Sequence, residues 1–129
     1  DKLASALGIV NKLASVKGHP KSALNQLQDI SQSNSLDIPN LDQLNVLFET
    51  LTRNGIENSN ITLDLGLARG ISYYTGVIFE FFSISASRKK LLGGGGRYDD
   101  LIKSLGGPNI PALGFAFNLD QVLDILNDS

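Results

Sequence analysis

The stretch "SYYTGVIFEFFSISASRKKLLGGGG", residues 72–96, decides how the chain is read. Its first half is dense in aromatic and β-branched residues, Val77, Ile78, Phe79, Phe81, Phe82 and Ile84, the composition of a half-buried strand. "SASRKK" then supplies the small, polar and cationic residues of a hairpin connection, and "LLGGGG" follows. This order predicts antiparallel sheet. If residues 72–82 form one strand, Tyr73 and Tyr74 face opposite sides of it, and only one of them lines a given pocket.

Upstream, "ITLDLGLA" alternates Ile61, Leu63, Leu65 and Leu67 against Thr62, Asp64, Gly66 and Ala68, the period of another strand. Before it the texture is helical. Leu3, Ala6, Leu7, Val10, Leu13 and Ala14 make an i, i+3, i+4, i+7 stripe that "KGHP" ends. Ala23, Leu24, Leu27 and Ile30 give a second helix, and "SQSNSLDIPN" reads as a loop. Leu41, Leu44, Leu47, Phe48 and Leu51 give a third, capped at Asn40 and stopped at Asn54-Gly55.

Downstream, "RYDDLIKSLGG" predicts a helix with Tyr98, Leu101, Ile102 and Leu105 inward. "IPALGFAFNL" predicts a strand and "DQVLDILND" a closing helix. The class is α+β: a helical segment over residues 1–60, then an antiparallel sheet flanked by helices over residues 61–129.

At 129 residues, with 42% hydrophobic and 19% charged side chains, the chain is of ordinary globular composition. A net charge of -2 argues against a broad nucleic-acid footprint, and Arg88, Lys89 and Lys90 read as a solvated hairpin tip. With no cysteine, one histidine and no carboxylate cluster of suitable spacing, no metal site is expected. The lone His19, in a Gly-His-Pro connection, is distant in sequence from every motif, which argues against a Ser-His-Asp triad. No apolar run approaches the roughly 20 residues of a membrane-spanning helix and no signal peptide opens the chain, so a cytoplasmic protein is expected.

Two features carry chemistry. "GGGGRYDD" matches neither the P-loop nor the dinucleotide fingerprint, and four glycines are a poor strand interior, so the run reads as a loop. It meets a helix expected to open at Arg97-Tyr98-Asp99, where a ligand can press against bare backbone. Arg69, beside Gly70, is placed to grip a carboxylate or phosphate with two parallel hydrogen bonds, or to pair with Asp64, Glu80 or Asp99.

"LARGISYYTGVIFEF", "GGGGRYDDLIKSLGG" and "PALGFAFNLDQVLDIL", in this order, resemble the C-terminal half of the class II catalytic core of histidyl-tRNA synthetases. The likeness covers residues 62–127, and more weakly residues 1–60, as the helical insertion and connecting helices. It implies a histidine pocket beside an ATP pocket. By position Arg69 is the catalytic cation, stabilising negative charge as the histidine carboxylate meets the α-phosphate. The resemblance further implies that Tyr73, Tyr74 and Tyr98 are substrate-binding, with Tyr74 on the imidazole and Tyr98 bounding the amino-acid pocket. Gly94, Gly95 and Gly96 are its close-approach floor.

The departures carry weight. Where the family's last helix opens with Gly-Leu-Glu-Arg, whose arginine holds the ATP γ-phosphate, this chain has Asn118, Leu119, Asp120 and Gln121. Replacing that charge-assisted contact with a neutral one removes about 1.5 to 3 kcal/mol of triphosphate binding. Ser72 stands where the family has aspartate. The first and second class II motifs are expected upstream of this chain, and an anticodon domain downstream.

The resemblance therefore implies a histidine-binding core segment not competent for aminoacylation on its own. No cofactor is held tightly, and ATP and Mg are expected only for an intact synthetase. The expected partners are histidine and ATP, tRNA only with further domains, and a second copy in a homodimer of the parent protein. The alternative is the histidine-binding regulatory subunit of ATP phosphoribosyltransferase, whose partner is the catalytic subunit. A third reading is the tRNA-sensing domain of a kinase.

Overall fold

The computed structural model describes residues 2–67, 70, 72–84 and 89–127. The chain divides into two compact units, Asp1–Ala68 and Arg69–Ser129.

The first unit holds helices α1 (Lys2–Ala14), α2 (Pro20–Asn34) and α3 (Leu41–Arg53), strands β1 (Lys17–Gly18) and β2 (Leu63–Asp64), and a 3-10 turn at Asn58–Asn60. Proline at the first position of α2 suits the helix start, since its missing N–H is one the helix leaves unpaired anyway. The helix ends at Ser35 in a left-handed conformation (φ 51°), where the Ser35 and Leu36 amides donate to the Gln32 and Ser31 carbonyls. The Ser31 hydroxyl closes the same turn on the Leu36 carbonyl at 2.6 Å. The helix α3 starts after Asn40 and stops at Asn54-Gly55, where its sequence predicts, but Asn40 is left-handed (φ 69°) and its side chain makes no capping hydrogen bond.

Val16, Ala23, Leu24 and Leu27 are buried, and Leu13, Leu41, Leu44, Phe48, Leu63 and Leu65 pack around them. The stripe predicted for α1 behaves differently: Leu3, Leu7 and Val10 are each more than half exposed. The strand expected over residues 61–68 contracts to β2, paired antiparallel with β1 (Lys17 opposite Asp64, Gly18 opposite Leu63). The cause is local. The Asp64 carboxylate accepts from the Gly66 amide at 3.0 Å and turns the chain immediately after the pair.

The second unit holds strands β3 (Ile78–Ile84), β4 (Lys89–Arg97) and β5 (Leu113–Phe117), helix α4 (Leu101–Ser104) and helix α5 (Leu119–Asn127). The sheet order is β3-β4-β5, antiparallel throughout. With two antiparallel sheets and five helices among the described residues, the class is α+β, as expected. Residues 85–88, including Arg88 of the expected cationic tip, lie outside the described residues.

Three local expectations are corrected. The tetraglycine is no loop: Gly93 to Gly96 are the interior of the central strand, paired on both edges. The reason is close approach, which propensity does not register. A Cβ at Gly95 would stand 2.7 Å from the Phe115 Cα and inside contact distance of the Gly114 carbonyl oxygen. The helix expected from Arg97 begins only at Leu101 and spans four residues, leaving Leu105 79% exposed. Arg97 instead ends β4, and the Tyr98 amide extends the ladder to the Ala112 carbonyl at 2.8 Å. Finally, β3 starts at Ile78, so Tyr73 and Tyr74 precede the strand rather than alternating within it.

The helix α5 is tied to the sheet at its start. The Asn118 amide donates to the Leu92 carbonyl at 2.7 Å, and the Asn118 Oδ1 accepts from the Gln121 amide. Among the described residues no helix is long and apolar enough to cross a membrane.

Candidate functional site

Strand alternation gives the sheet two chemically different faces. On one, Phe79, Phe81, Phe115 and Phe117 form a ladder across Gly93 and Gly95, with centroids of Phe81 and Phe117 5.2 Å apart and those of Phe115 and Phe117 5.6 Å apart. The other carries Ile78, Glu80, Gly94, Gly96, Gly114 and Ala116. Here the tyrosines gather.

Tyr73, Tyr74 and Tyr98 form one cluster. Ring centroids lie 4.9 Å apart for Tyr73 and Tyr74, 5.7 Å for Tyr73 and Tyr98, and 6.4 Å for Tyr74 and Tyr98. Gly96 and Gly114, paired across β4 and β5, are the backbone they rest on. A Cβ at Gly96 would stand 2.7 Å and 2.8 Å from the Cδ1 and Cε1 of Tyr74, and one at Gly114 would collide with the Tyr98 hydroxyl. Two glycines thus make room for two phenol rings, which pack directly on bare backbone.

The structure brings together more of the predicted set than strand alternation allows. Because the chain turns at Ser72 and Tyr73, both adjacent tyrosines reach Tyr98, where a continuous strand would have split them. Gly94, Gly95 and Gly96 are all buried, but only Gly96 is shown beneath a tyrosine; Gly95 opens toward Phe115. Arg69 lies outside the described residues. Of the anions considered as its partners, Asp64 pairs with Lys17 and Asp99 with Arg97. Gln121 sits in the first turn of α5, its amide taken by Asn118.

The connections around this cluster are not apparent from the sequence. Arg97 Nε donates to both carboxylate oxygens of Asp99, at 2.8 Å and 3.0 Å, and the Asp99 amide donates to Thr75 Oγ1 at 2.9 Å. The signal was present as "Thr-Gly" after the tyrosines and "Arg-Tyr-Asp" after the glycines, but only the fold joins them. In the helical unit, His19, Lys21, Gln28, Phe48, Glu49 and Arg53 line part of an open cleft of about 650 Å³, with no motif to announce it.

The family model described as "Histidyl-tRNA synthetase" matches residues 2–122, which takes in the helical unit as well as the sheet. The chain belongs to the histidyl-tRNA synthetase family. It is 35% identical to the histidine–tRNA ligase of Cytophaga hutchinsonii over 88% of its length, and 37% identical to that of Pyrococcus horikoshii over 91%. It is 38% identical to the cytoplasmic histidine–tRNA ligase of Arabidopsis thaliana over 87% of its length. The chain spans about a quarter or less of the length of these curated relatives, 25%, 27% and 13% respectively. Within this synthetase-family chain, "SYYTG" (residues 72–76) and "GGGGRYD" (residues 93–99) are the two segments that meet at the tyrosine cluster.

Proposed function

We propose that the chain is a segment of a histidyl-tRNA-synthetase-like class II core that forms part of a histidine and adenylate pocket. One observation carries the reading: Tyr74 and Tyr98 stand over the Gly96–Gly114 pair, on the sheet face opposite the phenylalanine ladder. A phenol both donates and accepts hydrogen bonds, which suits an imidazole with one N–H and one bare nitrogen. In this reading Tyr74 meets the imidazole, Tyr73 and Tyr98 bound the pocket, Gly94 and Gly96 allow close approach on that face with Gly95 as backbone between them, and Arg69 faces the carboxylate and α-phosphate.

Adenylation needs more than the histidine side. Gln121 offers no positive charge to a triphosphate, so the chain is read as binding histidine without forming histidyl-adenylate by itself. Domain boundaries near residue 60, ATP and Mg use, tRNA recognition and dimerisation belong to this same proposal for the longer parent protein.

The test uses the chain's own chromophores. It has three tyrosines and no tryptophan, so its ultraviolet emission comes from this cluster. L-histidine should change that emission saturably, L-phenylalanine should not, and exchange of pyrophosphate into ATP with histidine should stay at background. Equal responses to both amino acids would remove the histidine assignment; clear exchange would remove the claim of incompetence. Gln121 also favours a second reading, the regulatory subunit of ATP phosphoribosyltransferase. That reading requires co-elution with the phosphoribosyltransferase catalytic subunit, and tRNA charging by the parent protein excludes it.

A further inference from the structure

The two site tyrosines Tyr74 and Tyr98 come from segments 24 positions apart, and something must set their spacing. Backbone pairing supplies the first constraint. The Arg97 amide donates to the Val77 carbonyl at 2.9 Å and the Thr75 amide to the Arg97 carbonyl at 2.9 Å, with Gly76 as an extra residue between the two bonds. The Arg97 stem lies over that glycine, where a Cβ would stand 3.1 Å from its Cδ. Its guanidinium then holds the Asp99 carboxylate, and the Asp99 amide is held by the Thr75 hydroxyl. Thr75 adjoins Tyr74, and Arg97 and Asp99 flank Tyr98.

We propose that Arg97, Asp99 and Thr75 act as a latch of positioning residues, fixing the Tyr74–Tyr98 spacing and hence the width of the pocket. The proposal rests on the histidine reading for its functional consequence, but the latch itself is a statement about two phenol rings. The side chains of Arg97 and Asp99 are 52% and 37% exposed, so their ion pair contributes little to global stability. Its effect is local. Releasing it frees a turn whose glycine already permits other conformations, and the tyrosines lose their common frame.

This separates positioning from stability by experiment. Thr75→Val keeps the shape of the residue and removes only the acceptor oxygen, whereas Thr75→Ser keeps the oxygen. Near-ultraviolet circular dichroism, which requires aromatic rings held in a fixed asymmetric setting, reads the three tyrosines directly. Thr75→Val and Arg97→Ala should lose at least half of that signal, with the helical far-ultraviolet spectrum and its melting midpoint within a few degrees of the unmodified chain. Thr75→Ser should restore it. L-histidine affinity should fall about tenfold or more in the first two variants and recover in the third. Undiminished tyrosine dichroism in a folded Thr75→Val chain would overturn the latch, whatever happens to histidine. If the dichroism falls as expected but the unmodified chain binds no histidine, the latch stands and the histidine reading falls.

Discussion

The helical unit and the sheet unit are held together in opposite ways. In the first, Val16, Ala23, Leu24 and Leu27 are almost wholly excluded from solvent, and partly buried leucines and Phe48 pack around them. In the second, the described residues that reach full burial are Gly94, Gly95 and Gly96, while Phe115, Phe117 and Leu113 are each more than half exposed. The helices are stabilised by side chains removed from water. The sheet is organised around the absence of side chains: its central strand lets neighbours on both faces approach the backbone, and aromatic rings occupy the space a Cβ would take.

The largest effect should follow from emptying the helical core. Leu27 is fully buried, and Leu27→Ala should cost about 2 to 5 kcal/mol, the transfer of the lost methyl groups plus an incompletely collapsed cavity. Urea unfolding followed by helical dichroism reads this as a lower midpoint. The same truncation at Leu3, which is 68% exposed, should move that midpoint little. Equal losses at both positions would mean that α1 contributes more burial than its exposure shows.

In the sheet the damaging change is an addition. Gly95→Ala introduces one carbon against the Gly114 carbonyl and the Phe115 backbone, neither of which can rotate away. Overpacking of this kind should cost about 1 to 3 kcal/mol, and more if β5 detaches. Tyrosine dichroism should report it, because Gly96 and Gly114, beneath the rings, belong to the same pair of strands. A fully stable Gly95→Ala sheet would refute close approach as the reason for the glycine run.

The sequence revealed the two units unequally, for the same reason. Helical order is written in a 3.6-residue period, so α2 and α3 could be read from Ala23, Leu24 and Leu27 and from Leu41, Leu44 and Phe48, although α2 runs on through residues 31–34, which the polar composition assigned to a loop. The path of "GGGG" could not, because what makes glycine necessary there is Phe115, some twenty positions away. The period from Tyr98 to Leu105 predicted a helix, but the amides of Tyr98 and Asp99 are claimed by Ala112 and Thr75, and only four residues remain to coil. For the site, the motifs located the tyrosines and the glycines beneath them. Their mutual arrangement needed the turn at Ser72 and Tyr73, which aromatic composition disguised as strand.

A smaller effect distinguishes how α5 is joined to the sheet. The Asn118 side chain accepts from the Gln121 amide at 3.2 Å while the Asn118 backbone bonds Leu92. Asn118→Ala keeps the backbone link and removes the cap, so it should cost about 1 kcal/mol. Asn118→Asp should retain most of that stability in a thermal melt. Loss of stability in both variants alike would assign the amide group a role beyond capping.

The last test turns the contrast into a change of sign. Gly8 lies inside α1 with nothing within 4 Å of the position a Cβ would take. There glycine only carries the entropy cost of ordering a freely rotating backbone, and Gly8→Ala should stabilise the helical unit by about 0.5 to 1 kcal/mol. The substitution is chemically identical to Gly95→Ala and should act in the opposite direction, because one site faces solvent and the other faces a neighbouring strand. Urea midpoints that fall in both variants would show that local propensity, rather than close approach, governs glycine throughout the chain.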